Sequence, residues 1–168
     1  MKLNISIILS ALILLISCQR DEEETQNIDQ VLKLYMNNGQ QDLLNPKIPG
    51  SYTNVGLFDM LGVKDQTPIS GYNLLKDSDT VTYMDYPAGA IRLKIDSLSN
   101  DNLQTYYSQF IIRLSKPLTP TTTEITNDVI KIEYTSTPSV FQISKLWYNG
   151  ILKFTKTQGQ PNIVEIVK

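Results

Sequence analysis

The sequence predicts an all-β fold, arranged as a single antiparallel β-sandwich, on three observations. From about residue 28 onward, short apolar runs alternate with Gly, Pro, Asn and Asp, a spacing typical of strands joined by turns. Several of these runs alternate apolar and polar residues with the period of two expected of half-buried strands. Asn149-Gly150 lies between two apolar runs and predicts a hairpin, because a type I′ turn needs φ > 0 at both central residues.

The length of 168 residues fits one domain, and the hydrophobic fraction of 41% is enough for a packed core. We expect eight or nine strands within residues 29–168, in an immunoglobulin-like or related Greek-key sandwich. These residues carry 13 basic and 13 acidic side chains, so the predicted body has no net charge. A neutral body gives no reason to expect a highly charged partner.

The first predicted strand covers residues 28–36, where two periodicities compete. Apolar residues recur at helical spacing, whereas a strand would place Leu32, Leu34 and Met36 on one face and Val31 and Tyr35 on the other. The turn formers at residues 37–39 favour a strand that enters a tight turn. A loop rich in Asn, Pro and Gly then follows over residues 41–52.

Three strands are predicted in the middle of the chain before a longer one. They cover residues 55–61, 80–84 and 90–95, and in the third of them the isoleucines and Leu93 should face the core while Arg92 and Lys94 face water. Residues 104–114 predict the longest strand. Its better core face consists of Tyr106, Ser108, Phe110, Ile112 and Leu114.

The last third predicts strands at residues 129–134, 140–148, 151–155 and 163–167. Along the first of these strands, Val129, Lys131 and Glu133 alternate with Ile130, Ile132 and Tyr134. Trp147 and its neighbour Tyr148 must point to opposite faces of their strand, so one of them packs into the core. We expect that one to be Trp147.

Residues 1–17 predict a secretory signal that is not part of the fold. Lys2 is the only charge, and the uncharged, mostly apolar run over residues 5–16 has the length of a signal h-region, about 7–15 residues. A membrane-spanning helix needs about 20 residues. The run ends in Leu15-Ile16-Ser17-Cys18, which resembles a bacterial lipobox. That resemblance implies cleavage before Cys18, triacylation of this residue and a stable anchor in the membrane.

An acidic run follows the predicted lipidation site, in the order Gln19, Arg20, Asp21, Glu22, Glu23, Glu24. It resembles the signal that sends lipoproteins of Bacteroidetes across the outer membrane to the cell surface. The alternative is a solvated leash that only holds the body off the lipid headgroups. Residues 18–28 are therefore expected to form a lipidated, acidic tether on the outer membrane, facing the cell exterior.

Two further segments carry a weaker resemblance. A strand followed by Asn-Gly and Asp-Leu-Leu-Asn-Pro within residues 31–46, and Leu-Trp-Tyr-Asn-Gly-Ile-Leu within residues 145–154, resemble small lipoproteins of Bacteroidetes with a β-sandwich-like body and no settled activity. These are turn and hairpin motifs. They bear on fold and location and imply no chemistry.

The residue inventory limits the chemistry. There is no His, which removes the commonest general base and metal ligand, and the only Cys is the predicted lipidation site. No Gly-rich turn indicates a cofactor, and no basic stripe indicates nucleic acid. The weak cation-site candidates are Asp77 with Asp79, and Asp96 with Asp101. For both pairs, a polar turn is the simpler interpretation.

These observations predict a non-catalytic interaction or accessory module of the outer membrane, held by its lipid anchor and docked to a membrane protein complex. An exposed apolar edge would favour that function. The first alternative is a glycan- or peptide-binding lipoprotein, which needs two or more exposed aromatic side chains on one surface. The second alternative is a hydrolase without His, which needs two carboxylates in a cleft, about 5–10 Å apart.

Overall fold

A computed structural model describes residues 25–168, so the predicted signal and most of the predicted tether lie outside the described residues. Within the described part, the chain forms strands and one short 3₁₀ helix at Asp96–Leu98, which confirms the all-β prediction. The strands are β1 Asn27–Asp29, β2 Leu32–Asn37, β3 Asn54–Asp59, β4 Thr67–Ile69, β5 Asn73–Lys76, β6 Thr82–Tyr86, β7 Leu93–Lys94, β8 Gln104–Thr119, β9 Thr122–Ser136, β10 Val140–Tyr148, β11 Ile151–Thr155 and β12 Asn162–Val167.

These strands form two sheets. The large sheet has the order β1-β10-β9-β8-β3-β4, with β11 also paired to β10 and β7 also paired to β8. The small sheet has the order β12-β2-β6-β5. Strand β10 pairs with β1 through residues 140–142 and with β11 through residues 145–148, so two short strands share the length of one long strand.

Apolar side chains from both sheets meet in one core, which makes the body sandwich-like. The fully buried members are, in the large sheet, Leu57, Phe110, Ile112, Leu114, Ile130, Ile132, Tyr134, Ile143 and Leu146, and, in the small sheet, Leu32, Leu34, Met36, Met84, Tyr86, Val164 and Ile166. The predicted core face of β8 is confirmed from Ser108 to Leu114, while Tyr106 packs against the core edge. The Ser108 hydroxyl is buried 3.1 Å from the Tyr134 hydroxyl, so each satisfies the other.

The prediction of a wholly antiparallel arrangement is wrong at two strand pairs. Strand β1 runs parallel to β10, and β2 runs parallel to β12. Parallel neighbours need a long connection, and more than 100 residues separate the members of each pair. The strand count exceeds the predicted eight or nine because β4 and β5 lie in segments with no predicted strand, and because the first predicted strand is divided into β1 and β2.

The predicted strand at residues 28–36 is confirmed as extended chain, but it is divided between the sheets. The chain leaves the large sheet after Asp29 and enters the small sheet at Leu32. The predicted faces hold in β2, because Leu34 and Met36 are buried while Tyr35 lies on the outer face. The chain therefore crosses from the large sheet to the small sheet at residues 30–31.

An ion pair and hydrogen bonds around Asp29 hold β1 to the body. The ammonium group of Lys156, whose side chain is only 6% exposed, donates to the Asp29 carboxylate and to Asn162 Oδ1 at 2.9 Å. The buried Asn162 amide donates to the other Asp29 oxygen at 2.8 Å. The first strand begins at Asn27, two residues inside the segment predicted as tether.

The strand predicted at residues 90–95 is wrong in both extent and orientation. Only Leu93–Lys94 forms a strand, Ile91 and Leu93 are more than 40% exposed, and Ala90 is buried. The Arg92 guanidinium lies over the rings of Tyr134 and Phe141, about 5 Å from each centroid, rather than in water. The physical reason is that side chains hold this backbone: the Tyr86 hydroxyl accepts the Ala90 N–H, and Asp59 accepts the Ile91 N–H.

The predicted hairpin at Asn149-Gly150 is confirmed. Both residues have positive φ, 48° and 79°, and they join β10 to β11. The Asn149 side chain adds a second link, because its Oδ1 accepts the Val129 N–H at 2.7 Å. The turn is therefore bonded to the neighbouring strand β9 as well as to its own hairpin.

Candidate functional site

The predicted lipidation and export residues, Cys18 and residues 19–24, lie outside the described residues. The weak cation candidates lie within them. Asp77 forms a turn: one carboxylate oxygen accepts the N–H groups of Asp79 and Val81 at 3.0 and 2.9 Å, and the other accepts the Tyr35 hydroxyl at 3.1 Å. Both oxygens of the Asp77 carboxylate therefore accept hydrogen bonds from the protein.

The second candidate pair is also part of a polar loop. Asp96 starts the 3₁₀ helix, and its carbonyl accepts the Ser99 N–H at 3.1 Å. Asp101 is exposed three residues after this helix ends. Within residues 25–168, no three or more His, Cys, Asp or Glu side chains converge as metal ligands would.

A polar cleft of about 760 Å³ opens at one end of the small sheet. Asp42 and Glu165 are the two carboxylates that line it, and the hydrolase alternative needs a pair of carboxylates in a cleft. Asp42 is engaged on both oxygens, by the N–H groups of Leu44 at 2.9 Å and Thr82 at 2.8 Å, and Glu165 accepts from the Asn37 amide. Asp42 thus orders the loop that forms one wall of the cleft.

The outer side of the large sheet carries a second and different surface. Its side chains alternate with the buried residues of β8, β9 and β10, and cross-strand pairs join Phe58 to Ile111, Ile111 to Val129 and Trp147 to Lys131. We call this surface the aromatic face. It consists of Phe58, Tyr107, Gln109, Ile111, Arg113, Val129, Lys131 and Trp147, all partly exposed.

The prediction that Trp147 packs into the core is wrong, because Tyr148 occupies that position and is only 6% exposed. A register shift between Ile143 and Lys145 explains the exchange. With strict alternation from the buried Ile143, Trp147 would face inward. The bulge inserts one residue, so that Leu146 and Tyr148 face the core and Trp147 faces out.

Cations lie over the rings of the aromatic face. The Lys131 ammonium is 5.4 Å from the Tyr107 ring centroid and 5.2 Å from that of Trp147. Arg113 lies 4.4 Å from the Phe58 ring centroid and donates to Asn127. These distances fit cation–π attraction, which holds the cations at the surface without a carboxylate.

No protein-family model, curated protein or solved structure matches this chain. Within residues 25–168, no helix is long and apolar enough to span a bilayer. Function is therefore inferred from the chemistry of the described surfaces.

A buried charged network lies behind the aromatic face, at the other side of β9. Asp128 accepts the Tyr148 hydroxyl at 2.6 Å, the Asn149 amide at 2.7 Å and the Lys168 ammonium. Burial by itself would raise the pKa of the Asp128 carboxyl, but these hydrogen bonds and the Lys168 charge outweigh burial and hold it below its ordinary value. Burial, followed by the bond to Asp128, raises the pKa of Tyr148. The network joins β9 to the Asn149 turn and to Lys168.

Strands β8 and β9 continue past the rest of the large sheet as a two-stranded ribbon. Residues 116–124 pair only with one another, because β3 ends its pairing at Ser115. Leu118 and Ile125 are about 60% exposed, and Lys116 pairs with Glu124 at 3.1 Å across the ribbon. Unpaired strand edges with exposed apolar side chains are potential contacts for another chain.

The sequence indicates part of the aromatic face. Alternation along residues 129–134 puts Lys131 on the face opposite Ile130 and Ile132, and the structure buries both isoleucines and leaves Lys131 partly exposed. The position of Lys131 between Tyr107 and Trp147 depends on the register of three strands and on the bulge in β10. No local pattern in the sequence signals either of them.

Proposed function

We propose that this chain is a surface-exposed, lipid-anchored protein of the outer membrane whose β-body is a non-catalytic binding module. The observation that carries the proposal is the aromatic face, where Phe58, Tyr107 and Trp147 share one partly exposed surface with Arg113 and Lys131. Planar rings and cations together favour recognition of a ligand over structural packing.

A catalytic function has less support. The chain contains no His, and both oxygens of Asp42 in the polar cleft accept backbone N–H groups. A general acid or nucleophile needs a carboxylate oxygen that can reach the substrate. The proposal therefore assigns the cleft no reaction.

The anchor is tested with Cys18→Ser. The replacement removes the thiol that would form the thioether, so the protein should leave the membrane fraction and appear in soluble fractions. A variant that stays in the membrane as the wild type does would overturn the anchor. Replacing Ser78, an exposed turn residue, with Ala controls for expression and handling.

The export signal is tested by replacing Asp21, Glu22, Glu23 and Glu24 with Asn or Gln. The variant should remain membrane-bound but become protected from protease added to intact cells. Unchanged cleavage on intact cells would show that the acidic run acts only as a leash. The Cys18→Ser control separates loss of export from loss of anchoring.

The binding function of the aromatic face is tested in cells. Full-length protein with Trp147→Ala and Tyr107→Ala should lose cell-surface material that is recovered with the wild type. The matched control is Ile163→Ser, which removes an exposed apolar side chain from the outer face of the small sheet. Equal recovery with both variants would contradict a role for the aromatic face.

The ribbon supports a second candidate, an accessory subunit docked to an outer-membrane protein complex. Lys116 and Glu124 are direct cross-strand partners, so an Asn-Gly turn can replace residues 117–123 and close a shorter hairpin. A membrane protein that is co-isolated with the wild type and with Trp147→Ala, but not with the shortened ribbon, would favour this candidate.

The finer fold assignment, an immunoglobulin-like or related Greek-key sandwich, is also a proposal. Its support is that two sheets contribute side chains to one core. A comparison of the strand order with that of such sandwiches tests it, and the two parallel pairs are the features to compare first.

A further inference from the structure

A shallow cavity of about 280 Å³ lies within the aromatic face. It is lined by Gln109, Val129, Lys131, Trp147 and Gly150. The volume is just below the range of small-molecule sites, about 300–1,000 Å³, and would accommodate one small ring system with part of a longer ligand outside it. We call this the Trp147 cavity.

The positive charge in the Trp147 cavity has no counter-ion in the described part of the chain. Lys131 forms no ion pair within residues 25–168, while the adjacent outward carboxylate, Glu133, lies 3.7 Å from Lys145. The Lys131 ammonium lies between the Tyr107 and Trp147 rings instead. An anionic group on a ligand would therefore meet an ammonium that no protein carboxylate neutralises.

The cavity also offers hydrogen-bond donors. Within residues 25–168, the Lys131 ammonium, the Trp147 indole N–H and the Gln109 side-chain amide make no hydrogen bond to the protein. A ligand that matches the cavity must supply acceptor oxygens, at least one negative charge and apolar C–H groups for the indole. A sugar ring that carries a carboxylate has all three.

Peptides fit the position of the cavity less well. An extended peptide gains its affinity from main-chain hydrogen bonds to a free strand edge. The Trp147 cavity lies over β8, β9 and β10, whose backbone groups here are paired with neighbouring strands. Side chains alone are available at this place, and side-chain recognition suits a saccharide.

The cavity lies far from the point where the tether enters the body. Strand β1 docks at residues 140–142 of β10, and Trp147 lies at the other end of that strand. At about 3.3 Å per residue, the separation along the strand is roughly 20 Å. On an anchored protein, this geometry leaves the cavity open to polymers outside the cell.

We propose that the Trp147 cavity binds an acidic oligosaccharide, with Lys131 pairing with a uronate carboxylate and Trp147 contacting the sugar ring. The inference rests on the proposed function, because it names the ligand class of the aromatic face. Charge complementarity makes the carboxylate the decisive group.

The test uses full-length protein in detergent and the fluorescence of Trp147, which is the only Trp of the chain. Trigalacturonic acid is the probe, and its methyl ester is the uncharged control. We expect a saturable change in emission with the acid, at least tenfold weaker binding of the ester, and weaker binding at higher salt. No change in emission, or equal affinity for both compounds, would overturn the proposal.

Two variants test whether trigalacturonic acid binds at Lys131. Lys131→Gln should lose at least tenfold in affinity for trigalacturonic acid, whereas Lys33→Gln should not. Lys33 is the matched control because its ammonium also lies over a ring, 4.9 Å from the Tyr83 centroid, on the other sheet. Thermal unfolding verifies that both variants are folded, and unchanged affinity in Lys131→Gln would contradict the assignment.

The outcomes separate this inference from the proposed function. Tighter binding of an acidic peptide such as triglutamate would overturn the saccharide assignment. If trigalacturonic acid does not bind, yet Trp147→Ala with Tyr107→Ala loses cell-surface material, the ligand class is wrong and the binding module stands. If the acid binds but Cys18→Ser leaves membrane retention unchanged, the cavity stands and the anchor is wrong.

Discussion

Replacement of Asp128 with Asn should destabilise the protein, because it removes the charge on which three side chains converge. The Tyr148 hydroxyl, the Asn149 amide and the Lys168 ammonium all donate to this buried carboxylate. An Asn side chain has the same shape but only one acceptor oxygen. At least one donor therefore loses its partner, and the opposing amide group adds donors of its own.

The magnitude follows from burial. A hydrogen bond to a charged group contributes about 1.5–3 kcal/mol to stability, and a buried donor without a partner costs about 1–3 kcal/mol. The Lys168 side chain is 21% exposed, so water recovers part of its lost interaction, whereas Tyr148 is buried. We expect a loss of about 2–3 kcal/mol, close to the value of one buried bond.

The pH dependence has a definite sign. The folded pKa of Asp128 lies below its ordinary value of 3.8, so the ionised carboxylate favours the folded state. This stabilisation is present above the unfolded pKa and disappears as the pH falls through the lower folded pKa. The difference in unfolding free energy between wild type and Asp128→Asn should therefore be constant near neutrality and shrink below about pH 4.

Urea unfolding followed by Trp147 fluorescence measures both effects, and urea avoids the screening that a salt denaturant would add. Asp101→Asn, at an exposed position, is the control and should change stability by less than about 0.5 kcal/mol. A loss in Asp128→Asn no larger than that control, or a difference that grows in acid, would refute the reasoning.

Two substitutions at buried positions and one in a turn, with Tyr107→Phe as the exposed control, extend the same unfolding assay. Tyr86→Phe leaves the buried Ala90 N–H without its acceptor and should lower the free energy of unfolding by about 1–3 kcal/mol. Tyr107→Phe should leave stability unchanged, because the Tyr107 hydroxyl has no partner within residues 25–168. Equal losses of stability in the two variants would contradict this. Gly150→Ala imposes a side chain on a turn with φ of 79° and should cost about 1–2 kcal/mol, with no effect arguing that the turn can rearrange. Phe110→Ala opens a cavity in a fully buried position and should cost about 3–5 kcal/mol, so a loss under 1 kcal/mol would show that the core is not packed as described.

Local pattern predicts most of the strands of this protein. Alternation along β8, β9 and β12 identifies which side chains face the core, because successive side chains of a strand point to opposite faces. The Asn149-Gly150 hairpin is predicted because few residues other than Asn and Gly adopt positive φ without strain. Both rules act within a few residues, so a single sequence is sufficient to apply them.

Two errors arise where distant residues override the local pattern. Arg92 alternates with apolar residues and should face water, yet Tyr134 and Phe141 lie beside it and its neighbours are held by side-chain hydrogen bonds. Trp147 is displaced from the core by a bulge opposite β9. For Arg92 the deciding contacts come from residues more than 40 positions away, and for Trp147 from the pairing of β10 with β9.

The sequence by itself determined that this is an all-β chain and where most of its longer strands and the Asn149-Gly150 turn lie. Those properties follow from backbone preferences and hydrophobic alternation, which neighbouring residues impose on one another. Only the tertiary structure decided that Lys131 lies between Tyr107 and Trp147, and that Asp128 accepts hydrogen bonds from three side chains. Strand register creates both arrangements, and a shift of one residue would move every side chain of a strand to the opposite face.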